Sequence, residues 1–271
     1  MLSNWSRLAR PGVVAAALLA AVAAGAARAG ETRCWIDHGA LVVPAAFGDI
    51  AGDFILDLAA PGGLLHVTRA GMAGHEEPAV TAPLRLAGAT FPAVTLTVAD
   101  LDARTRPFGT VINGVIGADA LRAYVVELNP DPCRLRLVPA APARAPARGA
   151  LRLTVTALNG RPTVQASVTD GVRIRAGGFA LGTGAWESTV VKARLARPAP
   201  TASGPVPPSS RLRGVEVAGT LFEQVPARPD AQAPGSDDAA LGVIGLSVWS
   251  HWRLRLDQTN GVLDLTPAQR K

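Results

Sequence analysis

The fold is decided by two stretches of this chain, Phe54-Ile55-Leu56-Asp57-Leu58-Ala59-Ala60 and Gly114-Val115-Ile116-Gly117, because both occur again in the same order. The first returns as Phe179-Ala180-Leu181-Gly182-Thr183-Gly184-Ala185, and the tetrapeptide Gly-Val-Ile-Gly returns at residues 242–245. Position 57 precedes its tetrapeptide by 57 residues, and position 182 precedes its own by 60. Two motifs in one order at nearly one spacing indicate a duplicated unit.

Each tetrapeptide is followed by a short amphipathic stretch and then by two strand-like segments. The segments 125–129 and 133–138 flank a Pro-Asp-Pro turn, and the segments 252–257 and 262–266 flank a turn that contains Asn-Gly. These turn residues predict one β-hairpin in each copy. Arg and Leu alternate within the strands, which predicts charge on a wet face and Leu on a core face.

The rest of the chain also favours strands. Alternating patterns run through residues 40–47, 93–98, 151–157 and 163–168. Helical patterns are limited to the stretches after the two tetrapeptides, at 118–124 and 246–252. We therefore predict an all-β fold of two lobes with one short helix per lobe.

The join between the two copies is rich in Pro, Ala and Arg and has no hydrophobic periodicity. Such composition is typical of a linker. We predict a first lobe at residues 30–140, a linker at 141–149 and a second lobe at 150–271. Two further Pro-rich or polar stretches, at 197–210 and 228–239, are interpreted as loops of the second lobe.

The N-terminal segment 1–29 has the pattern of a secretion signal. Arg7 and Arg10 precede an uncharged Ala/Val/Leu run, and Ala27-Arg28-Ala29 matches a cleavage site. The apolar run is short for a bilayer span, which needs about 20 residues. We expect a periplasmic or secreted protein that is not inserted in a membrane after the signal is removed.

Without residues 1–29, which hold three Arg and no acid, 24 basic residues face 21 acidic ones. The basic residues are scattered, whereas a nucleic-acid surface needs them clustered with aromatic residues. We therefore expect no nucleic-acid partner.

The chain has two cysteines, Cys34 and Cys133. Because an exported chain meets an oxidising compartment, we expect them to form a disulfide that ties the first strand to the last strand of the first lobe. Two free buried thiols are the alternative. Neither cysteine has the neighbours of a nucleophile.

These motifs resemble those of the retropepsin-like, or pepsin-like, aspartic peptidases. In that family each lobe carries a hydrophobic-hydrophobic-Asp-Thr/Ser-Gly-Ala loop and a later hydrophobic-hydrophobic-Gly strand that precedes a short helix. Here residues 56–60 and 181–185 correspond to the Asp loops, and residues 115–117 and 243–245 match the second motif. The resemblance extends over both copies and implies two acid-protease-like β-barrels with a cleft between them.

The resemblance also implies a catalytic pair, which is incomplete here. The chemistry of the family needs two carboxylates about 3 Å apart that share one proton, one acting on a water and the other on the peptide carbonyl. Asp57 is present in the first lobe, but Gly182 occupies the second position. We interpret Asp57 as a catalytic remnant. The residues predicted to form a degenerate, ligand-binding second loop are Gly182, Thr183, Gly184 and Trp186.

The supporting residues are divided between the loops. Thr183 keeps the hydroxyl with which the family braces one loop against the other, and Leu58 replaces it in the first lobe. The next position is Gly184 in one loop and Ala59 in the other. If that position requires positive φ, Ala59 is unfavourable there.

The resemblance and its gaps lead to one functional expectation and one alternative. We expect an exported, catalytically impaired, monomeric protein whose cleft binds a peptide or a protein. The alternative is an active aspartyl peptidase in which two chains bring two Asp57 side chains together. No cofactor or metal is expected, and residues 75–77, His-Glu-Glu, are interpreted as a solvated loop rather than as metal ligands.

Overall fold

The computed structural model describes residues 30–191, 210–230 and 240–268. The segment interpreted as a signal, residues 1–29, lies outside the described residues, as do most of the two loops predicted at 197–210 and 228–239. Over the described residues the chain forms twenty strands in three sheets.

The first lobe is a seven-stranded sheet that closes on itself. Its strands are β2 (Trp35–Asp37), β3 (Ala40–Phe47), β4 (Ile50–Asp57), β5 (Gly63–His66), β6 (Ala79–Leu86), β7 (Ala89–Ala99) and β8 (Ile112–Gly117). They run in the order β2-β3-β4-β8-β5-β7-β6, and an additional pairing of β3 with β6 closes six of them into a barrel.

The second lobe repeats this arrangement. Its strands are β12 (Thr156–Leu158), β13 (Arg161–Thr169), β14 (Ile174–Leu181), β15 (Ser188–Val191), β16 (Ser210–Val217), β17 (Thr220–Asp230) and β18 (Gly242–Ile244). The order β12-β13-β14-β18-β15-β17-β16, closed by β13 against β16, matches the first lobe strand for strand. The duplication predicted from the sequence motifs is therefore a duplication of topology.

A third sheet joins the two lobes. Its six strands are β1 (Gly30–Arg33), β9 (Tyr124–Pro130), β10 (Cys133–Pro139), β11 (Leu151–Thr154), β19 (Trp252–Asp257) and β20 (Val262–Pro267). In the order β1-β10-β9-β19-β20-β11, each lobe contributes three strands, and β9 pairs with β19 where the halves meet. Both predicted hairpins, β9–β10 and β19–β20, belong to this sheet.

Alternation places the apolar residues of this shared sheet inside. Leu254 and Leu256 of β19 and Leu135 of β10 are buried, whereas Arg253 is exposed. One continuous hydrophobic core runs through both lobes and the shared sheet. A core of this extent stabilises both lobes together.

The helices are short, and two were not predicted. The predicted segments contain a 3₁₀ turn at Asp119–Leu121 and helix α3 (Leu246–Trp249). The first lobe also has α1 (Val67–Met72) and α2 (Asp102–Thr105), so the expectation of one helix per lobe was wrong there. Helices of six and four residues are too short to produce a 3.6-residue pattern, which explains why the sequence did not indicate them.

Candidate functional site

The first candidate loop begins at the end of β4, where Asp57 is the last residue. Strand β4 pairs in parallel with β8, which sets Asp57 beside Gly117. The turn that follows is held by backbone bonds from the Ala60 N–H to the Asp57 carbonyl and from the Ala118 N–H to the Ala60 carbonyl, both 3.0 Å. Gly117 is required because an added Cβ would lie 2.6 Å from the Gly62 carbonyl carbon.

The second loop has the same setting in the second lobe. It follows β14, which pairs in parallel with β18, and the Gly182 N–H donates to the Ile244 carbonyl at 2.8 Å. Gly245 has the role of Gly117, since an added Cβ there would lie 2.4 Å from the Glu187 carbonyl oxygen. Residues 57 and 182 are therefore equivalent positions, and both line one cleft between the lobes.

Thr183 joins the two loops. Its Oγ1 accepts a hydrogen bond from the Leu58 N–H at 2.9 Å and donates one to the Leu56 carbonyl at 2.7 Å. Its carbonyl accepts from the Leu41 N–H at 2.8 Å. Thr183 is fully buried, so these bonds satisfy backbone groups that no water reaches.

The first loop has no side chain that makes the reciprocal hydrogen bonds to the second loop. Leu58 occupies the position equivalent to Thr183, and its side chain is buried in the hydrophobic core. A Leu side chain neither donates nor accepts, so the second loop receives no corresponding bond. The bracing hydroxyl therefore comes from the second lobe alone.

Asp57 faces a cation. Its Oδ2 accepts a hydrogen bond from an Arg104 guanidinium nitrogen at 2.9 Å, and its Oδ1 accepts from the Ala59 N–H at 3.0 Å. The Asp57 side chain is 14% exposed and the Arg104 side chain 34%. A paired-acid mechanism requires a second carboxyl group as the partner of the first. The partner of the Asp57 carboxylate is instead a guanidinium, with which it forms an ion pair.

Arg104 is positioned by α2, whose first residue, Asp102, contacts the residue that precedes α1. Asp102 in the first turn of α2 lies 3.1 Å from Nε2 of the buried His66, measured at Oδ1. Nδ1 of the same ring accepts from the Thr68 N–H at 3.2 Å, which assigns the ring proton to Nε2. His66 thus caps the N-terminus of α1 and contacts α2. Arg104 reaches Asp57 from α2.

A side chain is excluded at Gly182 and at Gly184 of the second loop by different neighbours. A Cβ at Gly184 would lie 2.3 Å from Oδ2 of Asp57 and 2.5 Å from Arg104, so the acid and its partner occupy that space. A Cβ at Gly182 would lie 2.4 Å from Val243 Cγ1 and 2.9 Å from the Ile244 carbonyl oxygen. The second loop therefore has no room for an aspartate at position 182 unless the backbone shifts.

Neither Ala59 nor Gly184 has positive φ, so the concern that Ala59 is strained there is not supported. The requirement at this position is steric instead. Gly184 lies against an acid, whereas the loop that faces Ala59 has no side chain at Gly182. Ala59, the equivalent residue of the first loop, is buried and carries a methyl group.

The cleft between the loops has a volume of about 890 Å³. Trp186 lines it and is 42% exposed, while its backbone packs against the hairpin turn at Gly39. Trp186 thus both lines the cleft and contributes to the contact between the lobes. The rings of His38 and Phe108, which also line the cleft, contact each other at a tilt, with 5.7 Å between their centroids.

Sequence reasoning missed Arg104, and it missed a second arginine, Arg161, that also lines the cleft. Arg104 lies in a polar segment without a motif, so no pattern indicated it. Arg161 was detectable, because aligning the strands before the two loops sets it against Ala40 of the first lobe.

The two cysteines form the expected disulfide, Cys34–Cys133. Within residues 30–191, 210–230 and 240–268, no group of three His, Cys, Asp or Glu side chains has the arrangement of a metal site. His75 and Glu77 are 3.8 Å apart on an exposed loop. Among the same residues, no helix has the length and apolar character needed to cross a bilayer.

Comparisons with known proteins support the fold. No family model matches the sequence, and no curated protein matches it. Among solved structures, the fold is similar to the crystal structure of the aspartic proteinase from Irpex lacteus, with a TM-score of 0.54 and 12% sequence identity. The match covers 89% of this chain and 98% of that one. A likeness at this identity shows an acid-protease-like two-lobed fold, as predicted; membership of the retropepsin-like group stays a prediction.

Proposed function

We propose that this protein is an exported, aspartic-proteinase-like protein that does not cleave peptide bonds and whose interlobe cleft binds a peptide or a segment of a protein. The observation on which the proposal depends is the environment of Asp57. Its carboxylate is paired with Arg104 at 2.9 Å, and the equivalent position, Gly182, has neither a carboxylate nor space for one.

The chemistry explains why this environment excludes the paired-acid mechanism. That mechanism uses one ionised carboxylate as the base and one protonated carboxyl group as the acid. A single carboxylate beside a guanidinium supplies no acid to polarise the peptide carbonyl. The guanidinium also binds one of the two carboxylate oxygens of Asp57.

Binding is the function that the remaining geometry favours. The cleft is of the size of ligand sites, and apolar and glycine residues line much of it, with Trp186 exposed on its rim. Glycine-lined walls leave peptide groups accessible to a bound chain. The disulfide and the N-terminal pattern support export, because disulfides persist in oxidising compartments.

The homodimeric peptidase is disfavoured by the contact at Gly184. An added Cβ at this residue would touch Asp57 Oδ2, so the second lobe of the same chain already covers the acid. A second chain would have to displace that lobe before its own Asp57 could approach. We therefore expect a monomer.

A peptidase assay tests the proposal. The protein without residues 1–29, Asp57→Asn and Arg104→Gln are incubated with a fluorogenic peptide library from about pH 3 to about pH 8. Arg106→Gln, an exposed neighbour on the same segment, is the control. We expect no cleavage above the Asp57→Asn background in any variant, and none in Arg104→Gln, because freeing Asp57 does not supply a second acid. Cleavage by the unmodified protein that Asp57→Asn abolishes would refute the proposal.

A further inference from the structure

Arg161 lines the same cleft as Gly182, the position of the missing acid. It is the first residue of β13, and the β13–β14 register pairs Thr163 with Ala180. Arg161 lies two residues before this last pair, and Gly182 lies two residues after it. In the first lobe the last pair is Val42–Ile55, and the corresponding positions are Ala40 and Asp57. At these equivalent positions the first lobe has a small apolar residue and an acid, and the second has a cation and a glycine.

Arg161 lacks a partner among the described residues. Its Nε is buried without a hydrogen bond, and the side chain forms no ion pair with the residues that the structure describes. The other cations of the cleft are paired, Arg104 with Asp57 and Arg228 with Glu187. The ionised groups that line the cleft therefore leave one positive charge, and it belongs to Arg161.

A partly buried guanidinium without an acceptor is unfavourable, and a carboxylate is the group that matches its planar donors. A ligand carboxylate that binds Arg161 within the cleft would leave the Asp57–Arg104 pair intact. The charges of the cleft would then balance.

We infer that the cleft selects peptides that carry a carboxylate, which pairs with Arg161. This inference rests on the proposed peptide-binding function and adds the class of ligand. The carboxylate has two sources in a peptide, the C-terminus and an Asp or Glu side chain. Both present the same two oxygens to the guanidinium.

The test uses three dye-labelled, N-blocked pentapeptide pools. The first ends in a free carboxylate and has no acidic side chain, the second is amidated and contains one Glu, and the third is amidated with Gln in place of that Glu. Fluorescence anisotropy at low salt measures the binding of each pool to the unmodified protein, to Arg161→Gln and to Arg85→Gln. Arg85 is exposed on β6, away from the cleft, and is the matched control.

We expect at least one carboxylate pool to bind the unmodified protein about tenfold or more tightly than the neutral pool. Arg161→Gln should remove this preference and leave the weak binding of the neutral pool, while Arg85→Gln should keep the preference. Whether the first or the second pool binds identifies the source of the carboxylate. Thermal unfolding of each variant shows whether the substitution has changed the fold.

Two results would overturn the inference, and they are distinguishable. Equal binding of all three pools, unchanged in Arg161→Gln, would leave peptide binding in place and remove the role of Arg161. Absence of binding by every pool would refute the peptide-binding function itself, and the inference with it.

Discussion

The loops at residues 57–61 and 182–186 have the same backbone setting and opposite chemical contents. Each follows the third strand of its lobe, and each lies close to a glycine at the C-terminal end of the parallel neighbour, Gly117 as the last residue of β8 and Gly245 directly after β18. The first loop has the acid and no hydroxyl; the second has the hydroxyl of Thr183 and no acid. The difference teaches that the hydrogen bonds between the loops do not depend on two acids: the hydroxyl of Thr183 alone joins the loops, whereas a paired-acid mechanism needs two carboxyl groups.

The contrast extends to the residues around each loop. Asp57 requires the glycine at position 184. The equivalent residues in the opposite loops are Gly182 and Ala59, where the acid is absent and the glycine is replaced by alanine. Four predictions test this comparison of equivalent positions, beginning with the largest expected effect.

The disulfide is the largest difference between the lobes. In the first lobe the Cys34 N–H donates to the Cys133 carbonyl at 3.3 Å and a disulfide joins the two residues. In the second, the Val155 N–H donates to the Gly261 carbonyl at 2.8 Å without a covalent link. Because the bridge closes a long loop, with a sequence separation of 99, replacing both cysteines by Ala should lower the free energy of unfolding by about 4 kcal/mol.

Urea unfolding of the oxidised protein and of the double Ala variant measures this loss. The reduced, unmodified protein is the control, since it lacks the bridge and keeps both side chains. A loss below about 1 kcal/mol would show that the first lobe is no more dependent on its bridge than the second lobe is on its hydrogen bond.

Thr183→Val removes the brace and should have the next largest effect. The Leu58 N–H and the Leu56 carbonyl both lose a partner in a buried site, so we expect a loss of about 3 kcal/mol in the free energy of unfolding. Thr163→Val is the matched control, because Thr163 is also buried and its hydroxyl makes a single bond to the nearby Arg161 carbonyl. Equal losses in the two variants would mean that the bond between the loops has no special role.

Sequence patterns predicted the topology well because the fold is duplicated. The repeated tetrapeptide and the spacing of 57 and 60 residues were sufficient to locate both loops and both shared-sheet hairpins. The patterns did not predict the pairing of Asp57 with Arg104, since this arginine comes from a four-residue helix in a segment without periodicity. The conformation of a short polar segment depends on tertiary contacts, here those of Asp102 with His66, that no local pattern encodes.

Exchanging glycine and alanine at the third position of each loop, residues 184 and 59, should change the free energy of unfolding by unequal amounts. Gly184→Ala places a methyl group against Asp57 and Arg104, so we expect a loss of about 2 kcal/mol in the free energy of unfolding. Ala59→Gly, the equivalent exchange in the first loop, removes a methyl group and should cost less than about 1 kcal/mol. Comparable losses would contradict the argument that the acid opposite sets the requirement for glycine.

The smallest expected effect lies in the hairpins that precede the two loops. Strands β3 and β4 are joined by a two-residue turn that contains the exposed Asp49, whereas β13 and β14 are joined by a longer loop. In that loop Oδ1 of Asp170 accepts from the Arg173 N–H at 2.7 Å and from the Val172 N–H at 2.8 Å. These two backbone bonds lower the pKa of Asp170 below its ordinary value of 3.8.

The sign of the pH dependence follows from this lowered pKa. Stabilisation by the ionised carboxylate is present above the ordinary value and is lost as the pH falls through the lower value of the folded state. Asp170→Asn should therefore unfold slightly more easily than the unmodified protein at neutral pH, and the difference should disappear as the pH falls through the lowered pKa of the folded state. Asp49→Asn is the control for the first lobe, and carboxyl NMR gives the Asp170 titration directly. If Asp170 titrates at or above its ordinary value, the longer hairpin does not derive stability from this carboxylate, and the two hairpins differ only in length.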